Sequence, residues 1–196
     1  MVFNIALVLW TMSTGPHWIA KESGPIEGLQ AVVLATAFAL FCRDATRHPG
    51  ASRPTAVTLA CLCFIIFFRE IDLRIFDVPE WLINISTDLV RKGLSTIFVV
   101  LTAVYVATRY KNVPGLVRSS LTWRAWPFYT WPLLLFTAEK IEVRVHATRL
   151  NDLPGYWANG QFWEELFELN AYIVLLFAAY IFAEIYRSST DSESGP

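Results

Sequence analysis

Eleven side chains of this chain could do chemistry, and almost all are acids or their partners: Glu27, Gln30, Arg69, Glu70, Asp72, Glu139, Glu142, His146, Glu164, Glu165 and Glu168. Each lies at or near the end of an apolar run. The run Phe64-Ile65-Ile66-Phe67-Phe68 passes directly into Arg69-Glu70-Ile71-Asp72-Leu73-Arg74, so four charges follow an apolar helix within six residues. Charge near the middle of a bilayer costs roughly 2.5–3.5 kcal/mol per group and less near the interface, so these groups need partners. Spacing supplies some of them. Glu70 and Arg74 are four apart and can pair within one helix. Glu139, Glu142 and His146 fall at i, i+3 and i+7 on one helix face, Glu164 and Glu168 share a face, and so do Glu27 and Gln30. Two readings follow. The charges pair within and between helices so that the helix ends can sit at the interface. Alternatively, they line a polar cavity that binds a cation, a lipid headgroup or a proton. Acids outnumber bases at these ends, which favours taking the second reading seriously.

Carboxylates with His146, and His17 as a further candidate, could also hold one divalent cation and activate water against a lipid. A histidine-rich metal site is not available, because the chain has only His17, His48 and His146. No HExxH, CxxC, GxSxG or phosphate-binding loop occurs. Cys42, Cys61 and Cys63 lie in or at the end of apolar runs. Cys61 and Cys63 point to different faces of a helix, so all three read as small buried hydrophobes.

The elements that must position these groups are plain in the composition. Of 196 residues, 55% are hydrophobic and only 17% charged, well below the quarter usual in soluble domains. Mean hydropathy is +0.42. Near-continuous apolar runs separated by charged loops predict an all-α, polytopic transmembrane helical bundle of five or six spans. The five lie near 25–43, 54–72, 94–110, 126–143 and 165–186. Residues 2–18 are a sixth candidate, short and without a basic flank. Residues 82–92 read as an amphipathic interfacial helix before the third span. The last helix is expected to start at Asn159-Gly160. One membrane-embedded domain is expected over 1–187, with a polar disordered tail over 188–196. The eight Trp cluster at segment ends, as an aromatic belt would place them.

Lys and Arg set the orientation. Arg43, Arg47 and Arg53 fall in one loop, Arg109, Lys111, Arg118 and Arg124 in another, and Arg187 closes the last helix. The positive-inside rule makes these sides and the C-terminus cytoplasmic, in a bacterial inner (cytoplasmic) membrane. Alternation then carries every acidic helix end to the outer side. Arg69 is expected to pair with Glu165, Glu168 or Glu139 of another helix. The expected partners are the lipid bilayer and either further copies of the chain or a larger membrane complex. A net charge of −1 offers no basic field for nucleic acid. The functional expectation is a non-catalytic membrane subunit or assembly factor. A metal-dependent lipid-modifying hydrolase and a proton- or ion-handling transporter are the alternatives.

Overall fold

A computed structural model describes residues 24–47, 53–70, 88–108, 125–147 and 154–191, together with Pro79. The candidate span 2–18, Asp72, the stretch 82–87 and residues 192–196 lie outside the described residues. Five helices and no strand occur among the described residues: α1 (Pro25–Arg47), α2 (Arg53–Glu70), α3 (Asp88–Ala107), α4 (Trp126–Ala147) and α5 (Pro154–Asp191).

The chain is all-helical there, and two segments are long and apolar enough to cross a bilayer: α1 and the Gly160–Phe182 part of α5. The other three fall short for identifiable reasons. α2 is 18 residues long and carries Arg53, Arg69 and Glu70. The last turns of α4 hold Glu139, Lys140 and Glu142. The apolar part of α3, Lys92–Ala107, is too short.

Helix limits differ from the periodicity in three places. α5 begins at Pro154, not at Asn159, because a proline in the first turn lacks only an N–H that has no partner there. Its C-terminus reaches Asp191, four residues into the stretch expected as tail. α3 begins at Asp88 and runs through Gly93, so the expected break between an interfacial helix and the third span is absent there. A glycine inside a helix costs only about 1 kcal/mol, which the surrounding apolar sequence overrides. α1 continues past Cys42 to Arg47, because Arg43 donates to the Asp44 carboxylate at 3.0–3.1 Å and lets the buried acid stay in the helix.

α1 packs on α2 and α5, α4 on α5, and α3 on α2. The main core is a seam of small and aromatic residues. Ala37, Ala56, Ala60 and Ala179 bring the helices close, while Phe41 and Phe182 meet edge to face at 5.8 Å. A second cluster, Ile26, Phe162, Leu166 and Leu169, joins the first turn of α1 to α5. α3 reaches the bundle through Phe98, whose ring lies 5.2 Å from Phe64. The small residues are a testable necessity. Ala37→Leu overfills a site with no exposure and is expected to cost about 1–3 kcal/mol of unfolding free energy in detergent. Val32→Leu, on the outer face of the same helix, is expected to stay within about 0.5 kcal/mol. Equal effects from the two substitutions would show that the seam is not packed as described.

Candidate functional site

The polar cluster is built at one end of the bundle, where α1 and α5 begin and α2 and α4 finish. Two local features set its geometry. On α5, Glu165 and Glu168 are three apart, so both project to the side facing α1 and α2. On α2, Arg69 and Glu70 occupy the final turn, where the apolar run stops.

Gln30 of α1 is fully buried and donates from Nε2 to the Glu165 carboxylate at 2.9 Å and to the Glu165 backbone carbonyl at 3.2 Å. Its Oε1 has no partner. Arg69 donates to Glu70 at 2.9 Å and to Glu168 at 3.2 Å, so one guanidinium bridges two helices. The arginine is 60% exposed, but the two carboxylates are only 11% and 14% exposed. Tyr172, one turn beyond Glu168 and fully buried, donates its hydroxyl to Glu70 at 3.1 Å.

Electrostatic reach widens the cluster. Glu165 interacts with Glu168, Glu27 and Glu70. Glu168 interacts with Glu70, Arg69, Glu164 and Glu142. The expected partner of Arg69 on another helix is therefore present, and it is Glu168. The structure also brings Glu27, Gln30, Glu70, Glu142, Glu164, Glu165 and Glu168 within mutual reach. Glu139 and Glu142 are exposed on α4, because the residue that this turn presents to the core is Ala138, with no exposure. His146 lies in the last turn of α4, and its side chain is outside what the structure describes.

Among the described residues no three His, Cys, Asp or Glu side chains come close enough to hold a metal ion. What the cluster offers instead is a set of hydrogen-bond acceptors with a deficit of positive charge, partly closed by an apolar shell. Ile26 lies one turn before Gln30, and Phe162, Leu166 and Leu169 flank Glu165. Such a site can hold a hydrogen-donating cation or share protons among its acids.

Tyr172 is the member that spacing could have found and did not. It follows Glu168 by four residues, hence on the same face, but in a continuous apolar run an aromatic reads as core. No family model, curated protein or solved structure matches this chain.

Proposed function

We propose that the chain is a polytopic integral membrane protein in which all five helices cross or enter the bilayer, with residues 2–18 as a sixth candidate span. It acts as a non-catalytic subunit or assembly factor in a homo-oligomer or larger membrane complex. The observation that carries this is the outside of the bundle. Large apolar side chains stand exposed there, among them Leu101 and Val104 on α3, Leu133 and Phe136 on α4 and Tyr180 on α5. A soluble monomer rarely exposes an apolar surface larger than a few hundred Å². The charged residues, by contrast, gather at helix ends.

Hydroxyls on these helices support the same reading. Thr36, Thr58, Thr96, Thr130 and Thr137 each donate to the carbonyl four residues back, at 2.8–2.9 Å. A hydroxyl satisfied by its own helix can face hydrocarbon without an unmet hydrogen bond. Trp163 near the start of the apolar part of α5, and Trp126 packed on Phe177 toward its other end, suit an aromatic belt at each interface. α5 spans 38 residues, about 57 Å at 1.5 Å per residue, so its ends project beyond a hydrocarbon core of about 30 Å.

The membrane domain covers 1–187 in this reading, and the C-terminus is cytoplasmic in a bacterial inner membrane. The full chain is expected to stay with membranes through alkaline carbonate extraction and to be released by detergent. Recovery in the carbonate supernatant would overturn the membrane reading. A reporter active only in the cytoplasm, fused after Pro196, is expected to be active, and its silence beside an active outer-compartment reporter would reverse the orientation. Mild detergent extraction is expected to recover the chain with further copies or other subunits; a lone monomer would count against the subunit role. The second reading, a cation- or proton-handling site, is favoured by one observation, the unpartnered Gln30 Oε1 among carboxylates.

A further inference from the structure

We infer that Gln30 and the carboxylates around it form a binding site for a primary ammonium group, carried by a lipid headgroup or by a free amine. The inference deepens the second reading above and uses the membrane reading only to name the lipid as one source.

The orientation of the Gln30 amide is the starting point. Its Nε2 faces two acceptors, the Glu165 carboxylate and the Glu165 backbone carbonyl. Turning the amide over would set its oxygen against both, so the nitrogen belongs where it is and Oε1 must look elsewhere. Oε1 is buried in a side chain with no exposure and has no donor. A buried acceptor left without a donor costs about 1–3 kcal/mol, so the site is incomplete until an N–H or O–H enters it.

The charge points the same way. Glu165 interacts with Glu168, Glu27 and Glu70, and the cation bonded within this group is Arg69, which bridges Glu70 and Glu168. The entering donor is therefore best a cation. A metal ion suits the geometry poorly, since among the described residues no three acidic or soft side chains converge on one point. A quaternary ammonium has the charge but no N–H, and cannot satisfy Oε1. A primary ammonium has three N–H donors and a positive charge. It can give one hydrogen to Gln30 and others to carboxylate oxygens.

Position fits a group at the membrane edge. Gln30 is the sixth residue of α1, and Glu165 the sixth of the Gly160–Phe182 segment. Both lie about 8 Å inside their helix starts at 1.5 Å per residue, near the boundary between headgroups and acyl chains.

The test uses the full chain in phosphatidylcholine nanodiscs, titrated calorimetrically with ethylammonium, choline or sodium chloride at constant ionic strength. Ethylammonium is expected to bind about tenfold or more tightly than choline and sodium, the fold-change of one charge-assisted hydrogen bond. Gln30→Met is expected to abolish that preference. If circular dichroism shows that this variant does not fold, Glu165→Gln, which keeps the shape and removes the charge, is read in its place. Equal binding of the three cations, no binding of ethylammonium, or a preference that survives in the folded variant would overturn the proposal. A lipid arm identifies the source. Preferential retention of phosphatidylethanolamine over phosphatidylcholine in native mass spectra assigns the ammonium to a headgroup, and equal retention with ethylammonium selectivity assigns it to a free amine. A chain that resists carbonate extraction yet shows no cation preference loses this inference alone, whereas carbonate release strikes the membrane reading.

Discussion

Arg69→Met is expected to lower the unfolding free energy in detergent by about 3–5 kcal/mol, the cost of removing one partner from a buried ion pair. The arginine itself is more than half exposed, so the loss does not come from its own burial. It comes from what remains. Glu70 and Glu168 are nearly buried, sit on different helices and are held together by the same guanidinium nitrogen. Without it, two carboxylates face each other across the α2–α5 contact with Tyr172 as a bonded donor to one of them. Methionine keeps much of the arginine stem, so packing is largely conserved and the charge is what is tested. The double variant with Glu168→Gln is expected to be less damaged than the sum of the two single variants by about 0.5–3 kcal/mol, since the second change removes the repulsion that the first exposes. Additive losses, or a single loss under about 1 kcal/mol, would show that the pair only decorates the interface.

Much of this end of the molecule is legible in one dimension. The run Phe64–Phe68 followed by Arg69 and Glu70 states where α2 must stop, and positive-inside counting brings the acidic ends to one side before any contact is known. From there the pairing of Arg69 with an acid of the last helix follows from charge balance. Which acid is not readable, because Glu164, Glu165 and Glu168 span more than one turn and the roll of α5 about its axis is set by packing at Ala171, Leu175 and Ala179. The same roll makes Glu165 the partner of Gln30. For Gln30 itself, the sequence offers two faces of one amphipathic first turn, and only the contact with α5 makes it fully buried. Glu139 illustrates the reverse error. Its i, i+3, i+7 pattern with Glu142 and His146 is real, but the core-facing residue of that turn is Ala138, so the acidic stripe lies toward the exposed side. Periodicity says which residues share a face and is silent on which face turns inward. Span number is the other limit. Charges at the ends of α2 and α4 shorten their apolar windows, so the length test passes only α1 and α5.

Tyr172→Ala is expected to cost about 3–5 kcal/mol, the range for truncating a large buried aromatic. Tyr172→Phe is expected to cost about 1.5–3 kcal/mol, the value of a hydrogen bond to a charged group. The pair separates two roles that meet in this side chain. The ring is fully buried in the main core with Phe41, Leu175 and Phe182, and so joins α5 to α1. The hydroxyl reaches out of that core to the Glu70 carboxylate at 3.1 Å, the same oxygen that Arg69 holds at 2.9 Å. Alanine removes both ring and donor and leaves a void among side chains that cannot collapse far, because their neighbours are alanines already at close approach. Phenylalanine keeps the ring and removes only the donor, leaving a nearly buried carboxylate with less compensation. The measurement is unfolding of each variant in the same detergent, followed by the ethylammonium titration on whichever variants fold. Phenylalanine is expected to unfold earlier than wild type yet keep the preference for ethylammonium over choline, because Gln30 and Glu165 are untouched. A phenylalanine variant as unstable as the alanine one would assign the whole effect to the hydroxyl. An alanine variant no worse than phenylalanine would mean that the core is not built around this ring, and that the polar end and the apolar seam are independent of each other.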